Sequence, residues 1–190
     1  MDAPRSEERP HVADDLIKFA LVALLIVVPI RMFVAQPFIV RGASMEPTFE
    51  GGEYLIVDQL SYHFHPPERG DVIIMRYPKD PSIFFIKRII GLPGETVELA
   101  GPTVTIDRGG AGTLVLTEPY VAPGHFENQY ATYTLGVDDY FVMGDNRIES
   151  SDSRSWGLLP KKDIVGRALI RLLPLQRIST FPGAVAYPIP

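Results

Sequence analysis

A serine in the segment Gly42-Ala43-Ser44-Met45-Glu46-Pro47-Thr48 and a lysine about forty residues further on, Lys87, are the side chains with which this chain can do chemistry. A hydroxyl becomes a nucleophile when a neighbouring base takes its proton. A lysine can be that base where its surroundings favour the neutral amine. Lys87 lies in the apolar run Ser82 to Ile90. As a strand, this run puts Ile83, Phe85, Lys87 and Ile89 on one face and Phe84, Ile86, Arg88 and Ile90 on the other. Desolvation in such a row pushes an ammonium towards the neutral form that a general base needs. Arg88 cannot serve, because a guanidinium keeps its proton. Around Ser44, small residues allow a substrate backbone to come close, and the Ser44 N–H can face an oxyanion. Each residue also has a plainer reading: Lys87 snorkelling from a strand edge, Ser44 capping a short turn that contains Pro47.

A third segment, Gly144 to Gly157, is dense in hydrogen-bonding groups. It pairs Asp with Arg twice, as Asp145/Arg147 and Asp152/Arg154, with hydroxyls between. Charge-assisted bonds within such a loop can hold it rigid enough to aim a hydroxyl at an amine. Cysteine is absent, which excludes thiol catalysis, disulfides and Cys-based zinc sites. His63, His65 and His125 do not suggest a Ser-His-Asp arrangement. No metal or cofactor is implied.

The elements that must position these residues follow from composition and pattern. The chain has 190 residues, 18 Pro and 16 Gly, which suits a turn-rich β domain. A net charge of −5 with no basic block argues against nucleic acid as a partner. Residues 1–15 are polar. Leu16 to Ala35 is an apolar stretch of about 20 residues, roughly 30 Å as a helix, and is expected to be a transmembrane anchor. A cleavable signal peptide would need a small residue where Phe33 stands, and a buried or interfacial helix is the other alternative. The Lys/Arg balance about this stretch does not fix its orientation. Strands are expected at Glu53–Gln59, Asp71–Tyr77, Ile83–Ile90, Thr96–Leu99, Thr103–Asp107, Leu114–Leu116, Tyr140–Met143 and Ile164–Leu173. Turn residues separate them, which points to a mainly β, antiparallel barrel or coiled sheet over 36–178. Residues 100–139 are expected to form a small hairpin subdomain, and the Pro-rich 179–190 a loose tail.

Four motifs, in order behind the apolar stretch, carry a resemblance: Ser44-Met45-x-Pro47-Thr48, Arg69-Gly70-Asp71-Val72, Lys87-Arg88-Ile89-Ile90-Gly91-Leu92-Pro93-Gly94, and Gly144 to Gly157. From about residue 16 to 170 the chain resembles bacterial type I signal peptidases. The resemblance implies a membrane-anchored serine endopeptidase that removes signal peptides from exported preproteins through a Ser/Lys dyad and an acyl-enzyme. It implies Ser44 as nucleophile, Lys87 as general base, Ser150 as the hydroxyl that orients the lysine, and Asp152 and Arg154 as a bracing pair. Met45 matches the residue beside the nucleophile. Phe38, Val40, Phe49, Phe85 and Ile86 match positions lining pockets for small residues at −1 and −3 of the substrate. It also implies a cytoplasmic N-terminus, a single pass through the inner membrane, contact with the lipid bilayer, and a catalytic domain on the outer face. Gly42 departs from the pattern, since some members carry there a serine whose hydroxyl serves the oxyanion. Two rival readings are a related Ser/Lys self-cleaving protease and a non-catalytic, membrane-tethered domain that binds peptides at a strand edge.

Overall fold

The computed structural model describes residues 12–29 and 35–187. An 18-residue helix, α1, covers Val12–Pro29. It starts four residues before the expected anchor and takes Asp14, Asp15 and Lys18 into its first turns. Among the described residues no helix is long and apolar enough to cross a membrane. The 30–34 part of the expected anchor lies outside the described residues, and Ala35 is not helical: it opens strand β1 (Ala35–Ile39), opposite Asp58. The helical boundary at 35 is thereby corrected, because Ala35 takes its backbone partner from a neighbouring strand.

All strand pairs are antiparallel, as the turn-rich pattern implied. One sheet runs in the order β1, β2 (Tyr54–Asp58), β11 (Ile164–Leu173), β3 (Val72–Tyr77), β4 (Asp80–Gly91), β9 (Asp139–Met143), β10 (Leu159–Pro160), with β12 (Ser179–Thr180) on β11. A smaller sheet has the order β7 (Thr113–Val115), β6 (Thr103–Asp107), β5 (Thr96–Gly101), β8 (Gln129–Thr134). The 100–139 stretch supplies β6, β7 and β8, which complete this four-stranded sheet with β5. β8 alternates half-buried and exposed side chains, so its sequence carries little apolar signal.

Two features of the large sheet make room for a site. Among the described residues β1 is an edge strand that pairs only with β2, and β4 pairs with β9 only from Arg88 onwards. The first half of β4 therefore has an open edge. Phe38 of β1 meets Phe84 of β4 at 5.5 Å between ring centroids, so the two open edges face one another. Alternation on β4 is as expected, and from Ile86 onwards both faces are interior, whereas Asp80 to Phe84 are exposed. Ile89 packs with Ile73, Met75, Tyr140 and Val142, while Ile86 packs with Val40, Met45, Phe49 and Leu55.

Of the expected tail, 179–187 is tied to the domain, and 188–190 lie outside the described residues. The Tyr187 hydroxyl donates to the Thr117 carbonyl at 3.0 Å, the Phe181 N–H donates to Leu169 at 2.7 Å, and the Gly183 carbonyl accepts from Arg88. A buried guanidinium needs acceptors on every side, and this backbone supplies one.

Candidate active site

Ser44 and Lys87 meet. The Lys87 ammonium stands 2.7 Å from the Ser44 hydroxyl. The turn after β1 presents the serine, and the centre of β4 presents the lysine from within its apolar row. Lys87 is 3 % exposed, with its Nζ 5.3 Å from the Phe85 ring centroid. Burial lowers its pKa to about 8; Asp152 and Asp145 oppose that shift and Arg154 adds to it. An amine near pH 8 is neutral often enough to take a serine proton, which an ordinary lysine is not.

The two segments are held together from behind by charges. Arg88, fully buried, grips Asp145 with two bonds of 2.8 and 2.7 Å. Asp145 accepts in turn from the Thr48 hydroxyl at 2.5 Å. The residue after the lysine is thereby coupled to the residue four beyond the serine through one carboxylate. The Asn146 N–H donates to the Ser44 carbonyl at 3.1 Å, tying the Ser44 turn to the loop after β9. On its other side, Arg171 donates to the Thr48 carbonyl at 2.7 Å and lies over the Phe49 ring at 4.7 Å. Arg177 reaches the Thr48 and Pro47 carbonyls, and Glu53, 2 % exposed, sits between the two arginines at 2.9 Å from each.

The Gly144–Gly157 loop is rigid, though not as its sequence suggested. Asp152 and Arg154 do pair locally, with bonds of 2.8 and 2.8 Å. Burial by itself would raise the Asp152 carboxyl, but the Arg154 guanidinium and the Gly144 N–H outweigh it and hold the group below the usual carboxylate range. Asp145 and Arg147 do not pair: Asp145 turns inward to Arg88, and Arg147 reaches Glu118 at 3.0 and 2.6 Å. The Ser150 hydroxyl is buried and, among the described residues, makes no hydrogen bond to Lys87; it stands near Asp152 and, with Arg154, favours the charged carboxylate there. It does lie close to the dyad. A side chain at Gly144 would collide with both the Ser150 hydroxyl and the Ser44 carbonyl, so only glycine lets this loop approach Ser44 so closely.

A cleft of about 450 Å³ opens beside the pair, lined by Phe38, Val40, Arg41, Ser44, Phe84, Phe85, Ile86 and Lys87 among others. Of the expected pocket residues, Phe38, Val40, Phe85 and Ile86 are on its wall. Met45 and Phe49 are not: at 1 % and 0 % exposure they belong to the core that supports it. Among the described residues no His/Cys/Asp/Glu group fits a metal ion. Sequence reasoning missed Arg88, Asp145 and Thr48 as one unit, and Glu53, Arg171 and Arg177 as another. Charged residues inside strand patterns were the available signal for both.

Fold and site together define a β-rich protein with a serine hydroxyl in contact with an amine of lowered pKa, and an apolar cleft between two open strand edges. Residues 13–173 match the family described as signal peptidase, peptidase S26. The probable signal peptidase I-1 of Synechocystis is 41% identical over 170 residues, covering 85% of this chain and 83% of that protein. Signal peptidase I of Leptolyngbya laminosa is 39% identical over 179 residues, covering 90% and 85%. A crystal structure of a signal peptidase I from Enterococcus faecalis is 33% identical, with a TM-score of 0.46 over 54% of this chain and 97% of that one. The chain belongs to the signal peptidase family S26.

Proposed function

We propose that Ser44 and Lys87 are the nucleophile and general base with which this signal-peptide-removing serine endopeptidase works. The 2.7 Å contact between a buried lysine and the serine hydroxyl carries the reading. Neutral Lys87 takes the Ser44 proton as the oxygen adds to the scissile carbonyl. The amine leaves with that proton, and Lys87 then deprotonates the water that hydrolyses the acyl-enzyme. The Ser44 N–H, which has no backbone acceptor among the described residues, is free to meet the oxyanion. Gly42 has φ +81°, where a serine would be strained, so a hydroxyl is not to be expected from that position. Ser150, whose hydroxyl lies beside Gly144, would orient the lysine, and Asp152 with Arg154 would brace the loop that carries it.

Substrates would be exported preproteins, bound as an extended segment between the open edges of β1 and β4. Phe38, Val40, Phe85 and Ile86 leave room for small side chains at −1 and −3. Residues from Leu16 to about Val34 would be a single-pass anchor in the cytoplasmic membrane, with the β domain on the outer face. The apolar composition of that stretch supports this. From Ala35 to Ser44 the chain spans at most ~30 Å, which keeps the reaction close to the bilayer.

Incubating the purified protein with a preprotein whose signal ends in Ala-x-Ala tests the dyad. Wild type cuts after the second Ala, and Ser44→Ala and Lys87→Ala each lose at least ~10²-fold. Cleavage by both variants at the wild-type rate would show the assignment to be wrong.

A further inference from the structure

We propose that the segment Phe181–Tyr187 is a positioning element of the reaction, in which Gly183 seats the nucleophile turn against the strand that bears Lys87. The inference rests on the dyad reading above. Gly183 touches both halves of that dyad's support. Its carbonyl accepts from the Arg88 guanidinium, one residue beyond Lys87. A Cβ built on it would stand 2.5 Å from the Thr48 methyl, 3.2 Å from the Phe49 ring and 3.5 Å from Arg88 Nη2. Its φ of +73° is one that glycine adopts freely and other residues do not. A single α-carbon therefore fills the angle between the serine turn and the lysine strand, and nothing larger fits.

The rest of the segment holds Gly183 there. Arg167 covers the Phe181 ring at 4.7 Å, and the Ala184 N–H closes a turn on the Phe181 carbonyl at 3.1 Å. Tyr187 shares a 3.0 Å hydrogen bond with Tyr120, whose ring lies 3.8 Å from the Arg88 guanidinium carbon. The Val185 carbonyl abuts Gly70, and the Gly70 carbonyl accepts from Arg88 at 2.9 Å. The segment thus surrounds Arg88 on the side away from Asp145. It lines no part of the cleft beside Ser44, so its influence passes through Thr48 and Arg88.

The test uses the full-length protein in detergent micelles with the preprotein substrate. Gly183→Ala adds one methyl against Thr48. It is expected to keep a cooperative thermal transition above the assay temperature and lose tenfold to a hundredfold in kcat with KM within twofold, the loss typical of a small misplacement. Displacing Thr48 takes its hydroxyl from Asp145. The charges that act on Lys87 are those of Asp152, Arg154 and Asp145; with Asp145 less satisfied the acidic influence among them grows, and the acidic limb moves to higher pH. A loss of folded protein would lower the whole profile without moving that limb. Thr48→Ser removes the methyl and keeps the hydroxyl, so adding it to Gly183→Ala restores part of kcat. Tyr187→Ala, which frees the far end of the segment, is expected to move kcat and the limb in the same direction and decides the matter if Gly183→Ala does not fold. Folded variants with wild-type kcat and limb, or a loss with an unmoved limb and no rescue, overturn the proposal. Ser44→Ala is run alongside: an active S44A sinks the dyad itself, whereas an inactive S44A with an unaffected G183A sinks only the role of the segment.

Discussion

Lys87 is where physical cost and chemical use coincide. Its folded pKa of about 8 lies below the ordinary lysine value because burial penalises the ammonium. The unfolded chain therefore binds more protons than the native one between about pH 8 and 10.4, and native stability rises with pH across that window. Below it the cost is fully present. Lys87→Met is expected to stabilise the domain at pH 7 by ~1–3 kcal/mol while abolishing cleavage, read from denaturant midpoints and the preprotein assay. Activity of the wild type should rise through an acidic limb near pH 8, and Lys87→Arg should be inactive at every pH. A limb near pH 10 would mean that burial does not set the lysine's pKa. The sequence showed that Lys87 stands among apolar side chains. It did not show that Arg88 is buried more deeply still, since alternation alone gives no measure of which face is covered. The difference between the two lies in Asp145, which neutralises the guanidinium and leaves the amine without an equivalent partner.

Among elements, the Ser44 turn and β4 are the pair that must not slip if the proposed dyad is to work. Two ion-paired clusters clamp the turn, one through Asp145 and one through Glu53. Removing one partner of a buried pair leaves the other uncompensated, typically at ~3–5 kcal/mol. Asp145→Ala is expected to cost about that much, measured by chemical denaturation, because Arg88 keeps its charge in the core. A change below ~1 kcal/mol would mean that the pair does not hold these segments. Gly144→Ala is a finer probe. Its methyl would press on the Ser44 carbonyl and the Ser150 hydroxyl, so kcat should fall at least ~10-fold with the fold intact. The four sequence motifs placed the turn, the strand and the loop in one site. Their cross-links were not legible, because a salt bridge between Arg88 and Asp145 joins positions 57 residues apart. Asp145/Arg147 shows the limit well: nearness in sequence suggested a pair that the fold does not make.

For the molecule as a whole, the large antiparallel sheet was readable because most of its strands are apolar runs between turn residues. The smaller sheet was less so, since β8 buries only one half-covered face. The same imbalance hid the C-terminal segment, whose proline content reads as a tail although its carbonyls and Tyr187 are used inside the domain. If residues up to 34 act as the anchor, a chain beginning at Ala35 should cut a short signal-derived peptide in detergent with unchanged kcat and lose its attachment to liposomes. Retained attachment would move the membrane contact to the β domain.

The supports of the dyad come from residues 44–49, 87–88, 144–154, 171–177 and 183, which is almost the full span of the β domain. A ribosome delivers those segments in that order. The nucleophile turn emerges long before Arg171 and Gly183 can brace it, and long-range pairing of this kind closes late in folding. If Ser44 and Lys87 are the dyad, its full support would come together only after the segment around Gly183 has been made.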